Sequence, residues 1–201
     1  MDLSKRQIEI IEAATKLIGK GGVQSLTTKT LAAEMGFSEP ALYRHFSDKN
    51  DILKSVLIYY KERLKIGLTD IIHSNLTGTE KIQSMIDFQF DHFTKFPAVI
   101  MVIFSETSFQ HDGQLSKIVS EIMLQKSAMV SGIIELGQKE GNIRSDVAPD
   151  QLATIIMGSM RFTILRWRLS NFDFNLVEEG AVLWNTLALL IRKQKKVELK
   201  S

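Results

Sequence analysis

Residues 27–49 read TTKTLAAEMGFSEPALYRHFSDK, and this stretch decides the fold. Two short helical segments, 27–35 and 38–45, are separated only by Gly36 and Phe37, which is helix-turn-helix spacing. Helices that cross steeply need a small residue where they come closest, and Ala32 supplies it. The tight turn needs a residue tolerant of positive φ, which is Gly36. Leu31, Met35, Phe37 and Leu42 fall where their side chains close a miniature core. Ser38 stands where it can cap the second helix, with Pro40 in the first turn, where a missing N–H costs nothing.

The polar residues of the stretch lie where a duplex would be. Thr27 and Thr28 start the first helix, a place that favours an anion through hydroxyl and backbone N–H groups. Ser38, Glu39 and Ala41 start the second, whose first turn is the part that reaches base edges in a major groove. Tyr43, Arg44 and His45 follow, and Lys49 sits in the first turn of the next helix. Other roles stay open at this level. Glu39 also suits a helix dipole without touching a base, His45 also suits a packed core, and the whole unit also suits a protein-interaction module.

The run LAAEMGFSEPALYRHFSDKNDIL resembles the DNA-binding domain of the tetracycline-repressor (TetR) family of bacterial transcription regulators. That family pairs a leucine–tyrosine–any–histidine–phenylalanine run with a nearby lysine, matched here by Leu42, Tyr43, His45, Phe46 and Lys49. The resemblance implies that Thr28, Tyr43, His45 and Lys49 grip phosphates, while Lys29, Ser38, Glu39, Pro40, Ala41 and Arg44 face bases or the groove wall. It covers about the first fifty residues; the rest matches only in outline, as a helical effector-binding and dimerisation domain.

Outward from this stretch the apolar spacing is helical throughout. Ile8, Ile11, Ala14 (or Thr15) and Ile18 form a stripe that Gly19 to Gly22 stop. Ile82, Met85, Phe88 (with Gln89), His92 and Phe96 trace another, and Ile118, Ile122, Gln125, Met129, Ile133 and Leu136 a third, closed by Gly141 and Asn142. Each of the three prolines, Pro40, Pro97 and Pro149, stands where a helix could begin. The β-like run Val99 to Phe104 follows Pro97 and has no neighbouring strand, so it reads as a short buried helix. The expected helices are 4–20, 27–35, 38–45, 48–75, 79–96, 97–109, 113–140, 149–170 and 175–196. The fold class is all-α with about nine helices: a three-helix DNA-binding domain over 1–47, then a larger effector-binding and dimerisation domain over 48–201.

Nine of eleven Phe lie between residues 88 and 174, and six of eight Met between 85 and 160. Plain packing accounts for them, yet Phe and Met also build adaptable cavities for apolar ligands. Phe88, His92, Phe104, Met157, Arg161 and Trp167 are the candidate ligand-binding residues, His92 sharing a face with Met85, Phe88 and Phe96, and Arg161 and Trp167 interrupting an apolar helix. Helix 175–196 is apolar over more than half its girth, too much for one-sided burial. Ile156, Val177, Ala181, Trp184, Leu187, Ala188 and Ile191 are therefore the candidate interface of a homodimer.

Composition bounds the function. Without cysteine, thiolate metal sites, disulfides and cysteine nucleophiles are excluded. The charge-free stretches 96–105, 151–160 and 180–191 have 10, 10 and 12 residues, against about 20 for a spanning helix, and no secretory leader is apparent, so a cytoplasmic protein is expected. No catalytic motif, metal-ligand spacing or cofactor signature occurs, so an enzyme is not expected: Gly19-Lys-Gly-Gly follows a helix rather than a strand, and the histidines at 45, 73, 92 and 111 form no His-x-x-x-His pair. The net charge of +2 is divided along the chain. Residues 1–65 carry 11 basic and 8 acidic side chains, residues 66–191 carry 9 and 14, and residues 192–201 carry 5 and 1. A mildly basic end that suits DNA precedes an acidic body that a duplex repels. The expected partners are a duplex operator, a small apolar or amphipathic effector, and a second copy of the chain. A DNA-binding architectural or cell-division factor of the same fold is the alternative.

Overall fold

The computed structural model describes residues 3–104 and 112–193. Its helices are α1 (Lys5–Gly21), α2 (Thr28–Met35), α3 (Glu39–Leu42), α4 (Lys49–His73), α5 (Gly78–Lys95), α6 (Pro97–Ile103), α7 (Gly113–Lys139), α8 (Pro149–Leu169) and α9 (Leu176–Ile191), with a single 3₁₀ turn at Val23–Ser25. No strand occurs among the described residues beyond an isolated bridge between Ile143 and Arg192. The expected ends of the helices at 97–109 and 175–196 reach into residues outside those described.

Local chemistry sets most helix boundaries. Ser4 and Gln7 form a reciprocal capping box at α1, and Thr27 and Thr30 form one at α2. Thr77 and Glu80 exchange the same pair of bonds at α5, so orphan first-turn N–H groups are satisfied by side chains. Asp112 accepts from the N–H groups of Gln114 and Leu115 at α7, and Asn175 from those of Val177 and Glu178 at α9. At the other end of α2, Gly36 has φ 67°, the left-handed C-cap expected of it, and Phe37 N–H returns to Ala32 O at 2.8 Å.

The chain divides into two compact units. The first comprises residues 1–66 and 95–123, the second 67–94 and 124–201, so α4, α5 and α7 each contribute to both. These units follow packing, whereas the expected division at 47/48 is one of function.

The first unit is centred on α1, whose Ile10, Ile11, Ala14 and Ile18 are fully buried. Leu26, Leu31, Leu42, Phe46, Ile52, Leu53 and Val56 close over them, with Val102 from α6. Each such side chain withdrawn from water contributes roughly 1.5–3 kcal/mol. The Tyr59 hydroxyl donates to Glu12 at 3.1 Å and accepts from Arg63 at 2.8 Å, fastening α4 to α1.

In the second unit Phe90 and Phe93 are fully buried beside Ile82, Met85 and Ile86, and Val130, Ile134, Ile156 and Trp184 are buried in the same unit. Gly67 on α4 accommodates Phe88 on α5: a Cβ at Gly67 would lie 2.1 Å from Phe88 Cζ. The α7 stripe holds at Ile118, Ile122, Met129, Ile133 and Leu136, which are buried or half-buried, and fails at one position. Gln125 is exposed, while Lys126, Val130, Ile133 and Ile134 turn inward.

Candidate functional site

α1 carries the helix-turn-helix on its buried face and braces its turn from outside, where the Arg6 guanidinium lies 4.4 Å over the Phe37 ring. α3 has four residues rather than the eight expected, and 43–45 form turns. The chain continues to wind, since Tyr43 N–H bonds Glu39 O and Phe46 N–H bonds Leu42 O. Leu42 is buried as the anchor, and its neighbours are left outward.

Of the candidate DNA contacts, Lys29, Ser38, Pro40, Tyr43 and Arg44 are exposed, and Ala41, His45 and Lys49 are half-buried. Tyr43 keeps 49% of its surface in water. Ser38 occupies the N-cap position without making the side-chain bond expected of it. The Thr27 hydroxyl accepts from Thr30 N–H at 3.0 Å, committing it to the helix cap. The Thr28 hydroxyl donates to Glu39 Oε2 at 2.7 Å, so a proposed phosphate donor and a proposed base reader hold each other. His45 receives an anchor through its backbone, its carbonyl accepting from Gln7 Nε2 at 3.2 Å.

The charges of this surface differ in how they are engaged. Four basic residues (29, 44, 49, 54) accompany four acidic ones (34, 39, 48, 51) over 25–55. Every one of those acids has a local partner. Lys16 bonds Glu34 at 2.7 Å, holding its carboxyl below the usual range. Glu39 accepts from Thr28, Asp48 from Asp51 N–H at 2.8 Å, and Asp51 from Ser47 N–H at 3.0 Å. Lys29, Arg44 and Lys49 enter no ion pair among the described residues. Lys29 and Arg44 face outward without a local counter-charge, while the carboxylates keep their charge but are held by neighbours, an arrangement that suits phosphate contact by the cations.

The candidate ligand-binding residues separate. Phe104 belongs to the first unit and the other five to the second. Phe88 packs on Gly67 and stacks on His92 with ring centroids 6.0 Å apart. Met157 and Arg161 are half-buried one turn apart on α8. Trp167 is buried and its Nε1–H donates to Phe174 O at 2.7 Å, so it closes the α8–α9 corner. One residue that the sequence reading passed over joins this group: Lys126 on α7, whose ammonium bonds Gln89 Oε1 at 2.6 Å. Its signal was the four-residue spacing of Ile122, Lys126 and Val130.

The candidate interface stripe lies mostly inside its own subunit. Ile156, Trp184, Leu187, Ala188 and Ile191 are buried in the single chain, whereas Val177 and Ala181 are exposed. The outward apolar residues are others: Ile155, Phe162 and Leu169 on α8, and Val182, Leu189 and Leu190 on α9. Helix α9 is apolar on two sides, and the face with the bulky Trp184 fills the subunit core.

The described residues hold no cluster of His, Asp and Glu able to bind a metal, and no helix among them is long and apolar enough to cross a membrane. Two family models match the chain: bacterial regulatory proteins of the tetR family over residues 10–56, and the tetracyclin repressor-like C-terminal domain over 79–170. The HTH-type transcriptional repressor KstR2 of Rhodococcus jostii is 21% identical over 82% of this chain and 80% of its own. The nucleoid occlusion factor SlmA of Vibrio vulnificus is 20% identical over 94% of this chain and 97% of its own. The structure of the transcriptional regulator FadR from Bacillus subtilis in complex with stearoyl-CoA superposes with a TM-score of 0.77 at 22% identity, covering 90% of this chain and 97% of that one. With a helix-turn-helix in the first unit and an all-helical second one, matched by both models, the chain belongs to the TetR family of bacterial regulatory proteins.

Proposed function

We propose that this regulator is a homodimeric repressor that leaves a pseudo-palindromic operator when a small apolar or amphipathic effector binds its larger helical domain. The observation that carries the reading is the outward face of residues 28–49, where Lys29, Tyr43 and Arg44 are exposed and each acid is held by a neighbour. Two such faces, one per subunit, would read half-sites about 34–36 Å apart. A modest positive charge per subunit makes two subunits necessary for useful affinity.

Dimerisation is supported by apolar residues repeated at seven on the outward sides of two helices: Ile155, Phe162 and Leu169 on α8, and Val182 and Leu189 on α9. Phe162, Leu169 and Leu189 expose 61%, 72% and 76% of their surface. Paired with their symmetry mates they would form an isologous four-helix bundle. The effector half of the reading draws on FadR, a relative held in complex with stearoyl-CoA. An effector acts only through its different affinity for the DNA-binding and released forms.

The test is duplex binding by fluorescence anisotropy across a range of salt. Selective binding whose logarithm falls linearly with that of salt is expected; equal affinity for every sequence would refute a sequence-reading repressor. The likeness to SlmA supports a second reading, an architectural factor without a small-molecule effector. Many dispersed genomic sites that no metabolite releases would favour it, and a few promoter sites would favour the repressor.

A further inference from the structure

Thr27, Thr28 and Thr30 bring three hydroxyls to the start of α2, and two of them are committed to the helix itself. Thr27 accepts from Thr30 N–H at 3.0 Å, and the Thr30 hydroxyl donates back to Ser25 O at 2.9 Å and Thr27 O at 3.0 Å. The third, Thr28, crosses to the next helix and donates to Glu39 Oε2 at 2.7 Å. A hydroxyl has one proton to give, so while that bond holds, Thr28 offers none to a phosphate. Glu39 is the first residue of α3, and both side chains are half-buried. Ser38 makes no side-chain bond at this turn. The acid that α3 presents is therefore held from the neighbouring helix.

A glutamate on a surface turn is a flexible acceptor, and it gives up rotamer freedom when a partner fixes it. A group ordered beforehand discriminates better, because less freedom is lost on binding. An ionised carboxylate accepts at both oxygens, so with Oε2 engaged by Thr28, Oε1 serves a donor from outside. In a major groove those donors are the amino groups of cytosine and adenine, whereas guanine and thymine present acceptors that a carboxylate repels. The bond also ties the first residue of α2 to the first of α3. The carboxylate is thus aimed by the frame of the helix-turn-helix and not by a helix of four residues alone. We propose that Thr28 is a positioning residue, which fixes the direction from which Glu39 reads one base pair and so acts on sequence preference. This takes the place of the phosphate contact that the family resemblance implies for Thr28, and it rests on the reading of residues 28–49 as the DNA-reading surface.

Anisotropy titrations of the full-length protein test it, on a duplex selected from a random pool and on the same duplex substituted one pair at a time. The unaltered protein is expected to prefer one base at the pair that Glu39 reads by about fivefold or more. Thr28→Val keeps the branched side chain without the hydroxyl. It should reduce that preference to about twofold or less and leave the preference at every other pair as it was. Thr28→Ser retains the hydroxyl and should retain the preference. Thr28→Ala, which removes the hydroxyl with a residue that favours helix, should repeat the valine result by a second route. In a Glu39→Ala background Thr28→Val should have no further effect, because the two residues act as one unit. The proposal is overturned if Thr28→Val weakens all duplexes by the same factor with the preference intact, the mark of a phosphate donor. It is also overturned if the effect of Thr28→Val is undiminished without Glu39, or if Glu39→Ala moves no base pair. Equal binding of every duplex by the unaltered protein sinks the sequence-reading account and this role with it. Selective binding that the valine and alanine variants leave intact removes this role alone.

Discussion

Thr28 and Glu39 hold each other before a duplex arrives, and this single hydrogen bond of 2.7 Å joins the two functions of the DNA-facing surface. Glu39→Ala should change preference at one base pair under the proposed base-reading role, since a carboxylate in a recognition turn can accept from a cytosine amino group. Lys49→Ala should weaken binding to all sequences alike and lower the salt slope by about one. Anisotropy on duplexes substituted one pair at a time separates the outcomes, and a uniform loss for Glu39→Ala would assign that residue to positioning alone. Lys126 gives a prediction about stability. Burial pushes its folded pKa down to about 8, below the ordinary 10.5, so between those values the unfolded chain holds more protons. The destabilisation is therefore fully present below pH 8 and fades as pH rises toward 10.5. Lys126→Met removes it while leaving Gln89 Oε1 without its donor, which costs about 1–3 kcal/mol. Denaturant titrations at pH 7 and pH 10 should find the wild type gaining on the variant by up to about 3 kcal/mol; no relative change would contradict the burial of that charge. The motif residues were legible because their types are dictated by a turn and a cap. The inward turn of Lys126 was not, since Gln125 and Lys126 are equally well spaced between Ile122 and Met129.

At the scale of the element, apolar spacing with its prolines and glycines made the helices readable. Ser4, Thr27, Asp112 and Asn175 cap their helices in the structure, and the run after Pro97 folds as the helix α6 that its context demanded. α3 was read too long because four residues of helix and three of turn bury the same Leu42 and Phe46. A glycine within α4 could serve bending or a close neighbour, and the Phe88 ring against Gly67 supports the second. Gly67→Ala should therefore destabilise the protein by about 1–3 kcal/mol through overpacking. Adding Phe88→Ala should recover part of that loss, a departure from additivity expected only of residues in contact. Thermal or urea unfolding of the two single variants and the double one measures this, and strict additivity would remove the contact from the account.

For the whole molecule, periodicity marked α9 as excessively apolar but could not tell its inward face from its outward one. Trp184, Leu187 and Ile191 are buried in the chain's own core, whereas Phe162 and Leu189 stay exposed, where the proposed second copy would cover them. Phe162→Glu with Leu189→Glu should yield monomers in analytical ultracentrifugation, still folded by circular dichroism, whereas Val177→Ala should remain dimeric. The central claim is that two copies of the residue 28–49 surface read one operator. Its most direct measurement selects bound duplexes from a random pool and titrates the selected sequence against salt. The account predicts two inverted half-sites about one helical turn apart and an affinity that falls steeply with salt. A pool that yields no enriched sequence, or an enriched site whose binding ignores salt, would contradict it.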